Sequence, residues 1–231
     1  MSLMCLPIKS AIERKRQTDS YRYRRCLRTA HPLEHMEQSA SPRRLILASA
    51  SPRRRDLLQK AGITFRVIPS LTDESHRPGE TPLAYVQRAA VDKAQTVSQE
   101  QPGCWVLAAD TIVTLNGHIL GKPGNSVIAR KMLAKLSGQT HQVMTAFVLL
   151  NEIGQSAAAQ VVTSEVTFKS ISDAEIDAYL ATCESFDKAG AYAVQGKGRL
   201  LVDRVTGSLT NVVGLPMDEV GAALRTAGLF S

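Results

Sequence analysis

From residue 45 onward, apolar positions recur with two alternating periods, and the switches between them predict an α/β chain. Leu45-Ile46-Leu47-Ala48 is a continuous apolar run that breaks at Ser49-Ala50-Ser51. Helical spacing follows, with Leu57 and Leu58 on one face, so this stretch reads as a strand, a tight turn and a helix. Ser51 suits the N-cap, Pro52 the first helical position, and Gly62 the C′ position that closes the helix. Residues 65–69 read as a short strand and 72–79 as a loop. Thr81 and Pro82 then start a helix whose apolar positions are Leu83, Val86, Ala90, Val91, Ala94 and Val97, with Lys93 in its far half. Residues 105–109 form a second fully apolar strand, with Asp110 and Thr111 at its carboxyl end, the edge where open α/β sheets bind ligands.

The second half continues the pattern. Asn116-Gly117 between residues 111–115 and 118–120 predicts a hairpin, and Gly121-Lys122-Pro123-Gly124 is a turn that lifts Lys122 out of regular structure. A helix is expected over 126–136, ended by Gly138, and strands over 141–150 and 161–168. Ser172 and Glu175 form a capping box that opens a helix carrying Ile176, Tyr179 and Leu180. Residues 187–196 read as a loop, 200–205 as a strand, and Pro216 as the start of a last helix. With no internal repeat and no linker, residues 45–231 are expected to form one α/β unit, two lobes around a cleft.

Composition changes the picture in one place. The net charge of +7 resembles a nucleic-acid signal, but residues 1–44 hold ten Lys or Arg against four Asp or Glu, while the remainder holds eighteen against seventeen. The expected folded body is nearly neutral, which argues against nucleic-acid binding by it. Residues 1–44 show no sustained period and read as a disordered basic leader, with Met36 as a candidate functional start. The leader has no apolar core of a secretory signal, and no run in the chain is long enough to span a bilayer. The second Ser-Pro-Arg-Arg, at residues 41–44, lacks a preceding strand and is read as coincidence. His31-Pro32-Leu33-Glu34-His35 matches an HxxEH zinc pattern formally, but the proline inside it is incompatible with the helix that chemistry needs. Cys5, Cys26, Cys104 and Cys183 form no CxxC pair and read as reduced cytosolic thiols.

The chemistry gathers at element ends. A helix N-terminus favours an anion, and Arg53, Arg54 and Arg55 in its first turn oppose the macrodipole, so an anionic partner is expected there. Ser49, Arg53, Arg54, Asp73, Glu74, Lys93, Asp110, Thr111, Lys122, Asp187, Lys188 and Gln195 are the polar residues that punctuate otherwise apolar elements. Several cations for phosphates, with carboxylates to hold a divalent ion and accept a proton, are the parts that phosphoanhydride hydrolysis requires. Neither GxxxxGK[ST] nor GxGxxG occurs, which argues against a P-loop enzyme or a dinucleotide-dependent oxidoreductase.

With these residues in view, the chain resembles the Maf family of nucleotide pyrophosphatases. LASASPRR at 47–54, AADTIV at 108–113, GKP at 121–123, LSGQTHQVMTA at 136–146, DKAGAYAVQG at 187–196 and VVGLP at 212–216 carry the resemblance, in order, over 45–230. It implies an elongated mixed sheet flanked by helices with two lobes around a central cleft, as in Maf and ITPase folds. It also implies hydrolysis of a nucleoside triphosphate to the monophosphate and pyrophosphate with Mg²⁺, Mn²⁺ or Co²⁺, in a cytoplasmic homodimer. By motif, Asp110 corresponds to the proton acceptor. Ser49, Arg53, Arg54, Lys93 and Lys122 correspond to phosphate-binding positions, and Glu74 joins Asp110 as an acidic, metal-facing position. Arg53, Thr111 and Gln195 match the branch acting on dTTP and UTP, and a Gln amide suits the O4 and N3–H edge of thymine or uracil. Modified pyrimidine nucleotides are then plausible substrates, removed before they enter nucleic acid. The competing readings are a preference for another modified nucleotide such as 7-methyl-GTP, a non-enzymatic septum regulator, and nucleic-acid binding through the leader.

Overall fold

A computed structural model of the chain describes residues 44–230. The basic leader, Met36 and the HxxEH match lie outside the described residues. The elements are β1 (Leu45–Leu47), α1 (Pro52–Lys60), β2 (Arg66–Val67), α2 (Pro82–Glu100), β3 (Trp105–Leu115), β4 (His118–Leu120), α3 (Ser126–Leu136), β5 (Thr140–Leu150), β6 (Ser156–Phe168), α4 (Asp173–Leu180), β7 (Val202–Thr206), α5 (Leu209–Val213) and α6 (Met217–Thr226). They build an α/β fold on one mixed sheet of order β2-β1-β3-β5-β6-β7, with β4 also on β3. β1 runs parallel to β2 and β3, and the pairs β3/β4, β3/β5, β5/β6 and β6/β7 are antiparallel.

Alternation along β3 assigns its residues to two faces. Val106, Ala108 and Ile112 pack with Val86, Ala90, Ala94 and Val97 of α2, whereas Leu107 and Ala109 pack on the opposite face with Leu58 of α1 and Val220 and Leu224 of α6. A third cluster, further along the sheet, joins Val113 and Leu120 to Leu133 of α3 and Ile176 of α4. These clusters are the cores of the two lobes.

One difference from the sequence-based expectation decides where the site lies. Residues 105–109 and 111–115 are one continuous 11-residue strand, so Asp110 is in the middle of β3 and not at a strand end. Its backbone is held opposite Ala146 in the ladder with β5. The turn-like polarity of Asp110-Thr111 misled because the other edge of β3 is split: β1 pairs only with residues 105–107, and β4 only with 113–115. β1 leaves the sheet after Ala48, whose N–H reaches the Leu107 carbonyl at 2.8 Å. Asp110 therefore faces a gap in the sheet edge, and that gap is the cleft between the lobes.

Other boundaries differ modestly. β6 begins at Ser156: residues 157–159 carry no strand pattern of their own, but Ser156, Ala158 and Ala159 pair with Leu150, Leu149 and Val148 of β5, with Ala157 at the register shift. Residues 200 and 201 belong to a 3-10 helix, Gly196–Leu201, that precedes β7. α5 has no apolar stripe to announce it, and Pro216 is the N-cap of α6. Leu83, assigned to the buried stripe of α2, is 47% exposed. The caps read from sequence agree. Ser51 accepts from Arg54 N–H, and at the other end of α1 Gly62, at φ +74, and Ile63 bond back to Gln59 and Leu58, a Schellman closure.

A buried histidine in this frame gives a pH prediction. His141 on β5 is 2% exposed, and burial pushes its pKa down to about 4 from an ordinary 6.5. The unfolded chain then binds a proton that the folded chain refuses between those values, so stability is present above pH 6.5 and declines as pH falls toward 4. The loss is of order 3 kcal/mol in full. Urea midpoints at pH 7 and pH 4.5 should converge in His141→Gln relative to wild type; an equal decline in both proteins would contradict this.

Candidate active site

Eleven of the twelve polar residues singled out from the sequence line one cavity of about 530 Å³ between the lobes. Five basic side chains face three carboxylates in its walls, so the cavity is cationic overall. Asp73, the neighbour of Glu74, does not belong to it. Its carboxylate accepts from Ser75 N–H at 2.9 Å and Ser75 Oγ at 2.6 Å on the exposed loop.

The pleat of β3 places Asp110 and Thr111 on opposite faces of the sheet, each meeting a different cation. On the α2 face, Lys93 Nζ lies 2.6 Å from Asp110 Oδ1 and 2.8 Å from Glu74 Oε1. Lys93 and Asp110 are each 7% exposed, so this pair is shielded from water on the helix side. Burial raises the Glu74 pKa, but the Lys93 hydrogen bond and charge, with Lys122 and Arg54 behind them, more than offset it and hold the carboxyl below its ordinary range. Tyr85, two helical turns before Lys93 on α2, donates its hydroxyl to the Glu74 carbonyl at 2.7 Å and so ties the acidic loop to the helix. Burial, then the charges of Asp110 and Glu74, push the Tyr85 phenol up to about 12, which keeps it protonated as that donor.

On the other face, Arg54 is 8% exposed and fully committed. Nε donates to the Gly214 carbonyl at 2.8 Å, and the two terminal nitrogens donate to Ser49 Oγ and Thr111 Oγ1, both at 2.9 Å. Burial lowers its pKa, countered by Asp110 and Glu74. Arg53 reaches the Val213 carbonyl at 3.3 Å and comes within 4.0 Å of Asp187, while Arg55 points to solvent beside Asp56. The expected anionic partner for the first-turn arginines is thus supplied partly from within, by carbonyls at the end of α5 that have no helical partner. Ser49 Oγ accepts from Arg54 and, at 3.3 Å, from Ser51 N–H, so its own proton is left to donate into the cavity. Thr111 continues through Thr145 Oγ1 at 2.9 Å to the Asn211 carbonyl at 3.0 Å, a buried chain linking Arg54 to β5 and α5.

Lys122 enters from the turn after β4 and Gln195 from the loop before the 3-10 helix; both are exposed at the mouth. The Lys188 ammonium is held by the Glu184 carbonyl at 2.6 Å and Asp187 at 2.5 Å, closing its own loop. Sequence reading missed Tyr85, although its eight-residue spacing from Lys93 puts both on one helix face. Thr145 and Asn211 carried no signal, since their partners are 34 and 66 residues away in sequence from one another's elements.

Asp110 Oδ1 and Glu74 Oε1 converge on the Lys93 ammonium, so a divalent cation held by these two carboxylates would take their other oxygens. Two carboxylates with water and phosphate oxygens are a common way to hold Mg²⁺, and the donor set fits that arrangement. Among the described residues, no three His, Cys, Asp or Glu side chains converge as a metal cage.

The model of the Maf-like protein family matches residues 44–227, almost all of the described chain. The chain belongs to the Maf-like family. This Maf-like chain is 48% identical over 184 residues to a dTTP/UTP pyrophosphatase of Geobacter sp. strain M21, a match that covers 80% of this chain and 95% of the relative. Proteins of the same name from Syntrophus aciditrophicus strain SB and Anaeromyxobacter dehalogenans strain 2CP-1 are 49% and 50% identical, covering 80% of this chain and 90% and 94% of theirs. No helix of the described Maf-like residues is long and apolar enough to cross a membrane.

Proposed function

We propose that the chain hydrolyses dTTP, UTP and modified pyrimidine triphosphates to the monophosphate and pyrophosphate, removing them before they enter nucleic acid. The observation that carries this reading is the buried Lys93–Asp110 pair at the gap in the sheet, inside a cationic cavity large enough for a nucleotide. The names of relatives near half identity supply the substrate class.

In this reading Asp110 takes a proton from a water that attacks the α-phosphorus. The bond from that phosphorus to the bridging oxygen breaks, and pyrophosphate leaves with its charge facing Arg53, Lys93 and Lys122. Ser49 donates its free proton to a phosphate oxygen, and Arg54 keeps the Ser49 and Thr111 sides in register. Asp110 and Glu74 would hold a divalent cation, which supplies charge neutralisation to the phosphates when bound. Gln195 meets the pyrimidine edge at the mouth, with Arg53 and Thr111 shaping the same side of the cavity.

The deciding experiment measures pyrophosphate release from dTTP, UTP, CTP and 7-methyl-GTP with Mg²⁺, with and without chelator, for wild type and Gln195→Ala. dTTP and UTP should lead, the chelator should abolish release, and Gln195→Ala should shrink the UTP-over-CTP preference about tenfold, the scale of one lost specific hydrogen bond. No release from any of them would sink the enzymatic reading. Two further parts of the reading are a homodimer, tested by light scattering, and a cytoplasmic location, tested by fractionation. Initiation at Met36, with residues 1–35 untranslated, predicts no peptides upstream of Met36 in mass spectra of the native protein.

A further inference from the structure

We propose that His141 and Tyr192 are positioning residues that lock the loop carrying Gln195, so that pyrimidine discrimination depends on a hydrogen bond that never touches the substrate. This rests on the reading above that Gln195 meets the base. A glutamine amide can turn over and present either a donor or an acceptor, so alone it reads uracil and cytosine about equally well. Discrimination requires neighbouring backbone groups at fixed places, and Ala193 and Val194 beside Gln195 also line the cavity.

The backbone leading to them is held in an unusual shape. Gly190 and Ala191 are both left-handed, at φ +71 and +63. For alanine that conformation persists only where the surroundings over-determine it. Gly190 is wedged against Val113, where an added Cβ would come within 3.1 Å, and its N–H donates to the Gly121 carbonyl at 3.2 Å.

The next residue, Tyr192, is 5% exposed, and its hydroxyl lies 2.7 Å from His141 Nε2. Both rings stand edge-on to Phe168 and to each other, with centroids 4.8 to 5.3 Å apart. Beyond it, Ala193 N–H donates to Tyr179 Oη at 3.2 Å. His141 belongs to β5 and Phe168 to β6, so the pair fastens the loop to the rigid sheet. His141 Nδ1 is buried with no hydrogen-bond partner, so the ring's specific polar contact is the one to Tyr192. A merely space-filling position would not call for an imidazole.

The test uses Tyr192→Phe, which removes only the hydroxyl, and His141→Phe, which keeps an aromatic ring against Phe168. The ratio of kcat/KM for UTP over CTP, taken within one preparation, cannot be altered by a loss of folded enzyme. It should fall about tenfold in both variants, toward the value for Gln195→Ala. Tyr192→Phe combined with Gln195→Ala should fall no further than Gln195→Ala alone. Hydrogen exchange of peptides within 187–196 should quicken about tenfold in both single variants while β3 and β5 keep wild-type protection. With Gln195→Ala effective, an unchanged ratio overturns the proposal, as does unchanged exchange. If Gln195→Ala itself leaves the ratio alone, base reading by Gln195 is what fails, and the exchange rates then decide whether the pair holds the loop.

Discussion

Asp110→Asn should lower kcat on dTTP or UTP by about a thousandfold, the scale of a lost general base. The substitution keeps shape and a carbonyl acceptor for Lys93, which also retains Glu74 at 2.8 Å, so no charge is left stranded without a partner. Because of that, the melting temperature should move by no more than about 3 °C, equivalent to roughly 1 kcal/mol in a domain of this size. A variant with more than a tenth of wild-type turnover would show that Asp110 is not the proton acceptor. Lys93 makes the contrast. It is buried against Asp110, and removing it leaves that buried carboxylate without its ion-pair partner, so Lys93→Met should fail in stability as well as in activity.

Arg54→Lys has the largest expected effect on folding among charge-conserving changes. The guanidinium reaches Gly214, Ser49 and Thr111 with three separate nitrogens, whereas an ammonium is one point that cannot span acceptors on three elements. Losing two of these bonds costs about 3 kcal/mol, since hydrogen bonds of charged groups contribute ~1.5 kcal/mol or more each. Release of pyrophosphate should fall about a hundredfold with it, because Ser49 and Thr111 lose the group that keeps them in register. The matched control is Arg53→Lys. Arg53 has a side chain 32% exposed and one long hydrogen bond of 3.3 Å, so its stability change should stay under about 1 kcal/mol. Urea midpoints for the two variants decide it, and equal losses would refute the structural role assigned to Arg54.

Much of this site was legible in the chain because its residues mark local events. Ser51-Pro52 and Gly62 bound α1 through backbone chemistry that any context would obey, and Thr81-Pro82 and the Ser172 to Glu175 box did the same for α2 and α4. The polar residues that interrupt apolar runs were the ones that line the cavity, because a buried lysine or aspartate is retained in such runs only with a partner. Asp110 was found for that reason even though its place in the strand was misjudged.

What only the tertiary structure decided was which faces and edges meet. The local pattern around Asp110 is the same whether a strand ends there or runs through a gap; the gap exists because β1 and β4 pair with different stretches of one edge of β3. The split of Asp110 toward Lys93 and Thr111 toward Arg54 follows from the pleat, but the helices on each side come from distant parts of the chain. The arginines' carbonyl partners on α5 lie 160 residues from them. His141 and Tyr192 are 51 residues apart, and no periodicity relates them. Caps, turns and amphipathic stripes are set by neighbours within a few residues, so the sequence determined them alone; pairing across the sheet is set by the packing of whole elements, and that is where the cleft and its locked loop were made.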